Sequence, residues 1–211
     1  MFKDKEFLRN NIVLHRCELK PPENYFSETV YKLEKYLFEM HESHEYWARE
    51  RGTSVEKARD DDKCGKISEI FVDSFLFQHY GFPGNGVDFE VRKNINKGWQ
   101  PDLQYGDFIF PIKSCPRMYG DDHSWVFQFN NKCGSGGRDP VISTKNKEIC
   151  FFVINEEFKN ITPDSKVVIF ASSPMNLISH ILKPPIFDKY KGLKKCIYSK
   201  DILKLKLSCC V

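Results

Sequence analysis

The hydrophobic pattern of this chain changes its period near Gly81, and that change constrains the fold more than any other feature. Before Gly81, apolar residues recur every three to four positions, which predicts amphipathic helices over 28–48 and 66–81. After Gly81, short runs rich in β-branched and aromatic residues predict strands. These runs cover 87–91, 103–114, 124–130, 147–155 and 166–172. Helices followed by strands predict an α/β or α+β fold with a central mixed sheet.

Helix-capping and helix-terminating residues predict where several of these elements begin and end. Ser54 is a good N-cap for a helix, and Gly81 is a good helix stop. Ser173-Pro174 predicts the start of a short helix, and 194–207 predicts a short strand followed by a last helix or strand.

The length of 211 residues suits one domain with a sizeable core, or one domain with a helical extension. We expect an N-terminal helical extension over 1–53 and the main domain over 54–211, with a single compact unit as the alternative. The 18 phenylalanines favour a well-filled interior.

Charge and hydropathy limit the partners of the chain only loosely. The formal net charge is +3, which permits a nucleic-acid partner through a local basic face but does not require one. The N-terminus has no apolar signal region, and no apolar run is long enough to span a bilayer. We therefore expect a cytoplasmic protein without a membrane partner.

The eight cysteines are spread along the chain and form no CxxC pair. In a reducing compartment such cysteines are free thiols more often than a disulfide framework. A zinc site from Cys115, His123 and Cys133 is conceivable, although their spacing matches no established zinc pattern.

Four polar residues occur in an order that suits metal-dependent hydrolysis of a phosphodiester. That reaction needs carboxylates to hold a metal ion and a cation beside the attacking water. Glu69 lies in a predicted helix, Asp102 follows Pro101, Lys113 ends a predicted strand, and Gln128 lies in the next strand. Singly, Asp102, Glu69 and Lys113 have simpler explanations as a turn or as surface residues. Gln128 is less easily explained this way, because a polar side chain inside an apolar strand needs a partner. The joint order of the four residues favours a shared site.

These residues resemble the PD-(D/E)xK nucleases, the restriction-endonuclease-like superfamily that includes Holliday-junction resolvases and many phage nucleases. The resemblance covers roughly 65–130. It implies a restriction-endonuclease-like mixed sheet flanked by helices, and a metal-dependent DNA endonuclease that uses Mg²⁺ or Mn²⁺. It also implies DNA as the partner, a possible homodimer, and the host cytoplasm as location if the chain is phage-encoded.

The resemblance assigns a role to each residue of the set. It implies that Asp102 binds the metal, that Glu69 assists the metal or the water, that Lys113 is the catalytic lysine and that Gln128 positions the site. Three further basic residues in the adjacent loops are candidate DNA contacts: Arg117, Lys132 and Arg138.

Pro111 occupies the position where the family pattern has Asp or Glu. It shares a strand face with Lys113 because side chains alternate along a strand, and it cannot coordinate a metal. Asp102 and Glu69 could still hold one Mg²⁺ together with waters. The alternative is a catalytically impaired protein of the same fold that acts as a nucleic-acid or protein binding module. A third possibility is an unrelated α/β protein in which the pattern is coincidental.

Overall fold

The computed structural model describes residues 8–82, 86–91, 102–118, 122–128, 148–178, 180–188 and 191–208. These residues form a mixed α/β structure, in agreement with the predicted class. Its elements, in chain order, are β1 (Val13–Leu19), a π-helical turn (Tyr25–Thr29), α1 (Val30–Glu39), α2 (His41–Arg51), α3 (Val55–Tyr80), β2 (Leu103–Tyr105), β3 (Phe108–Phe110), β4 (Ile112–Cys115), β5 (Ser124–Gln128), β6 (Ile149–Ile154), β7 (Val167–Pro174), α4 (Met175–Ile178), β8 (Lys194–Tyr198) and α5 (Ser199–Ser208).

The main sheet has the strand order β1-β7-β6-β4. β4 runs parallel to β6, whereas β6 with β7 and β7 with β1 are antiparallel. The sheet is therefore mixed, as the sequence predicts. Two smaller antiparallel pairs accompany it, β2 with β3 and β5 with β8.

Helix α3 is the longest described element and covers one face of the main sheet. It begins at Ser54, whose Oγ accepts a hydrogen bond from the Lys57 backbone at 3.1 Å, and it ends at Gly81 in the left-handed conformation. Both signals were predicted. The helix is longer than the expected 66–81 because the charged segment before it is helical too.

The interior consists of two hydrophobic clusters, one on each face of β6. They are separate because successive side chains of a strand point to opposite faces. Phe151 and Val153 belong to the cluster that contains the buried face of α3. Phe152 belongs to the second cluster, with Trp125 and Phe127 of β5. We call these the helix-side core and the far-side core.

Three predicted elements differ from the structure. The run expected to be extended over 103–114 forms three short strands, β2, β3 and β4, of which only β4 joins the main sheet. The helix expected over 28–48 is two helices, α1 and α2, which break at Met40. Met40 is buried, so the apolar stripe continues across the break between the helices. The hydrophobic pattern of the sequence therefore gives no sign of the break. The strand expected over 87–91 was wrong, since these residues form no strand. Their apolar side chains pack against the helix-side core without joining a ladder, so the alternation reflects burial on one side.

The segment before residue 54 contributes a strand as well as helices. Val13 of β1 pairs with Ser172 of β7, and α1 and α2 contact α3. Its residues Leu33 and Leu37 lie in the helix-side core together with residues of α3.

Among the helices that the structure describes, none combines the length and the apolar character needed to cross a membrane.

The packing of α3 against β6 predicts that two phenylalanines contribute very different amounts to the free energy of unfolding. Phe151 is fully buried, whereas Phe77 on α3 is 62% exposed. We expect Phe151→Ala to lower the free energy of unfolding by about 3–5 kcal/mol, because it removes an aromatic ring and leaves a cavity. Phe77→Ala is the matched control and should change it by less than about 0.5 kcal/mol. Urea unfolding of both variants measures the difference, and similar losses would contradict the described packing.

Candidate active site

Glu69 and Asp102 converge at the start of β4. Glu69 lies midway along α3 and is only 6% exposed. Asp102 precedes β2, and its Oδ2 accepts a hydrogen bond from the Ile112 backbone amide at 2.6 Å. The negative charge of Asp102 raises the pKa of Glu69, so the two carboxyl groups are within electrostatic range of each other. The helix and the strand thus bring together two of the predicted site residues.

Lys66 lies against Glu69 in this site. Its Nζ is 2.7 Å from Glu69 Oε2, and the two residues are one helical turn apart. Both side chains are largely buried, with exposures of 15% for Lys66 and 8% for Glu69. The Lys66 ammonium also lies 5.5 Å from the centroid of the Tyr36 ring on α1. The contact between Lys66 and Glu69 is therefore buried rather than exposed to solvent.

Burial and neighbouring charges shift the pKa of both partners. Burial raises the pKa of Glu69 to about 8, while Lys66 opposes this rise and Asp102 adds to it. Burial lowers the pKa of Lys66, but the carboxylates of Glu69, Asp102 and Asp62 more than offset this, so that the net shift is upward. Lys66 is therefore cationic at neutral pH, and Glu69 ionises well above its ordinary range.

A chain of polar contacts extends from this pair into the N-terminal helices. Asp62, one turn before Lys66 on α3, is hydrogen-bonded to His44 Nε2 at 3.0 Å and accepts a hydrogen bond from the Tyr36 hydroxyl at 3.5 Å. His44 is 1% exposed, and its Nδ1 is buried without a hydrogen-bond partner. We call Tyr36, His44, Asp62, Lys66, Glu69 and Asp102 the carboxylate network.

Lys113 points to the other face of the main sheet. Its register partner on β6 is Phe152, which belongs to the far-side core, and its Nζ lies 5.1 Å from the ring centroid of Phe127. The neighbouring Ile112 packs on the helix-side core. Since side chains alternate along a strand, Lys113 lies on the face opposite Glu69. The structure therefore turns Lys113 away from Glu69, although its backbone is one residue from the amide that Asp102 binds.

Gln128 ends β5, where its register partner on β8 is Lys194. Trp125 and Phe127 of the same strand are buried in the far-side core, whereas Val126 is 43% exposed. By alternation Gln128 shares the face of Val126 rather than that of Phe127. It thus points away from the ring that the Lys113 ammonium overlies.

Pro111 is buried immediately before β4, and its carbonyl accepts a hydrogen bond from the Phe151 amide at 2.9 Å. It therefore supports the parallel pairing of β4 with β6 through its backbone oxygen. Its ring offers no carboxylate at the place where the family pattern has one.

The described donors do not fit a divalent metal ion. Asp102 already accepts from a backbone amide, Glu69 is paired with an ammonium group, and Pro111 contributes no side-chain oxygen. A divalent cation beside Glu69 would face repulsion from Lys66. Within the described ranges, no group of three or more His, Cys, Asp or Glu residues is arranged to hold a metal ion.

A separate cavity of about 500 Å³ lies where β4 and β6 end, beside the first turns of α3. Arg117, a predicted DNA contact, lines it together with Lys57, Lys159 and the acidic Glu156. Glu156 is paired with His123 at 3.1 Å. None of the four residues predicted for the catalytic site lines this cavity.

The remaining predicted residues lie partly outside the described ranges. Lys132, Cys133 and Arg138 lie outside them. Cys115 is buried, and its Sγ donates a hydrogen bond to the Arg117 carbonyl at 3.0 Å.

Sequence reasoning missed Lys66 and Asp62. The signal was present in the spacing, because Asp62, Lys66 and Glu69 are four and three residues apart and so share one side of a helix. Such a spacing usually marks solvent-exposed pairs, and only the packing of α3 reveals that this one is buried.

No protein-family model matches this chain, and comparisons with curated proteins and with solved structures find no match either.

The raised pKa of Glu69 predicts a specific pH dependence of stability. An acid whose pKa rises from 4.5 to about 8 on folding keeps its proton in the folded state between those values. The folded state then binds more protons than the unfolded state, so the free energy of unfolding falls as pH rises through this window. We expect Glu69→Gln to remove about 1–3 kcal/mol of that fall between pH 5 and pH 8.

Urea unfolding at pH 5, 6, 7 and 8 measures this dependence. Glu34→Gln is the matched control, since Glu34 is 44% exposed in its ion pair with Arg59. We expect this control to keep the wild-type slope. A wild-type slope that Glu69→Gln leaves unchanged would show that Glu69 does not titrate as described.

Proposed function

We propose that this chain is a nucleic-acid-binding protein with a restriction-endonuclease-like fold that does not use the predicted metal site. The proposal that no metal is used rests on one observation, which is that both carboxyl groups already have partners within the protein. Glu69 binds the Lys66 ammonium at 2.7 Å, and Asp102 binds the Ile112 amide at 2.6 Å.

The order of elements supports the proposed fold. Glu69 lies on the helix α3, and Asp102 stands directly before the hairpin of β2 and β3. Lys113 follows on β4, and Gln128 on β5. Glu69, Lys113 and Gln128 thus lie on the types of element that the resemblance implies, whereas Asp102 precedes a strand instead of ending one.

A cluster of lysines at the end of β5 supports a nucleic-acid partner. Lys195 is the register partner of Phe127, the ring that the Lys113 ammonium overlies, so Lys113 and Lys195 lie on one face of the β5–β8 pair. Lys194 is the register partner of Gln128 and lies on the opposite face at the same end of the pair. We call Lys113, Lys194 and Lys195 the lysine cluster. All three are partly exposed. Closely spaced lysines neutralise backbone phosphates, and the release of counterions drives binding.

We expect the chain to bind duplex DNA with an affinity that falls steeply with salt. Lys194→Ala together with Lys195→Ala should weaken binding about tenfold or more and lower the slope of log K against log salt by about two, one for each lost phosphate contact. Fluorescence anisotropy with a labelled duplex at 50–200 mM salt measures both quantities.

The matched control is the double variant Lys20→Ala and Lys166→Ala. Both lysines are exposed. They lie beside the β1–β7 pair, at the edge of the main sheet opposite to β4. This control should bind like the wild type. Equal losses in both double variants would contradict the assignment to the lysine cluster, and absence of DNA binding at low salt would leave a protein as the partner of this module.

A metal-dependent DNA endonuclease is the second candidate, because the chain brings Glu69 and Asp102 together from distant segments. Incubation of supercoiled plasmid with Mg²⁺ or Mn²⁺ separates the two candidates. Nicking by the wild type that is lost in Asp102→Asn and in Lys113→Ala would favour the endonuclease, as a homodimer if both strands are cut. Binding without nicking supports the first proposal.

A further inference from the structure

A short loop before β8 is held at the edge of this strand that faces away from β5. The Lys183 amide donates a hydrogen bond to the Cys196 carbonyl at 2.9 Å, and the Cys196 amide donates one to the Lys183 carbonyl at 2.8 Å. The Tyr198 hydroxyl donates another to the Pro184 carbonyl at 3.1 Å. Pro184 and the buried Pro185 have a fixed φ, so the base of the loop is both anchored and stiff.

The loop exposes two large apolar side chains directly after its anchored base. Ile186 is 58% exposed and Phe187 is 48% exposed. The acidic residue that follows them, Asp188, is paired with Lys191 at 2.5 Å. We call Ile186 and Phe187 the apolar tip. Exposed apolar side chains that a rigid base holds in place are suited to contact a partner.

The sequence around the apolar tip is strongly basic. Residues 183–206 contain eight lysines and two aspartates, a formal charge of +6, whereas the whole chain carries +3. Lys194 is two residues from Cys196 on β8, about 7 Å along a strand at roughly 3.3 Å per residue, so it lies close to the anchored base of the loop. This charge complements the phosphate backbone of a nucleic acid.

We propose that the apolar tip is a wedge that inserts between stacked base pairs of bound duplex DNA, while the flanking lysines contact the backbone. Proteins that kink DNA insert Phe or Ile side chains between base steps in this way. The inference rests on the proposed nucleic-acid binding and adds a deformation of the duplex to it.

The small size of the apolar tip favours a duplex over a lipid surface. Segments that lie on a membrane bury the broad apolar face of a whole helix. A wedge needs only one or two apolar side chains, which is what the loop provides. The loop is also bonded to β8, the strand that carries Lys194 and Lys195 of the lysine cluster, so one duplex can contact both.

The test variant combines Ile186→Ser with Phe187→Ser, which changes only exposed side chains. The probe is a duplex with 2-aminopurine at a TA step, since this adenine analogue brightens when its neighbours unstack. We expect the wild type to raise its emission about twofold or more, because TA steps are easily unstacked by a wedge. The variant should leave the emission unchanged but keep the wild-type salt slope, since neither side chain contacts phosphate.

Phe38→Ser is the matched control, because Phe38 is 80% exposed but lies on α1. It should raise the emission like the wild type. A duplex with one mismatch gives a second measurement, since its bases cost less to unstack. The wild type should bind it about tenfold more tightly than the intact duplex, whereas the test variant should bind both alike.

The outcomes separate the wedge from the proposed function. DNA binding without a rise in emission would overturn the wedge and leave nucleic-acid binding intact. Absence of DNA binding at 50 mM salt would contradict the proposed function, and the wedge with it. Sedimentation with phosphatidylserine vesicles that the test variant loses would assign the apolar tip to a membrane surface, which also overturns the inference.

Discussion

The packing of α3 against β6 is the contact on which the rest of the structure depends. Phe75 of the helix and Phe151 of the strand meet with ring centroids 6.1 Å apart in the helix-side core. Buried Asn155, just after β6, adds hydrogen bonds to the Cys64 carbonyl and to Ser68 Oγ. This contact fixes the rotation of α3 about its axis, and that rotation places Glu69 beside Asp102 and encloses Lys66.

Much of the fold could be predicted because its signals are local. The runs that form β5, β6 and β7 are rich in aromatic and β-branched residues, and Ser54 and Gly81 mark the ends of α3 as expected. The break at Met40 could not be predicted, since a buried residue at the break preserves the helical period. The false strand over 87–91 has a similar origin, because alternation records one-sided burial and not hydrogen bonding.

The candidate site could be predicted only in part. The order of residues directs attention to Glu69 and Asp102, but it does not show which face of β4 the helix covers. Lys113 lies on the face of the main sheet that points away from Glu69, and only the tertiary packing of α3 determines this. Lys66 and Glu69 look like an ordinary surface pair in the sequence, and burial turns them into the centre of the carboxylate network. The sequence shows Lys194 and Lys195 side by side, but only the pairing of β5 with β8 places Lys195 opposite Phe127, the ring that the Lys113 ammonium overlies.

We propose that Lys66, and not a metal ion, is the positive charge held beside Glu69 at the start of β4. The most direct measurement is a crystal structure grown with 20 mM Mn²⁺ at pH 8, with diffraction data collected at the manganese absorption edge. We expect no anomalous peak between Glu69 and Asp102, with Lys66 Nζ still hydrogen-bonded to Glu69 Oε2. A manganese ion bound by both carboxylates, with the Lys66 side chain displaced, would contradict it.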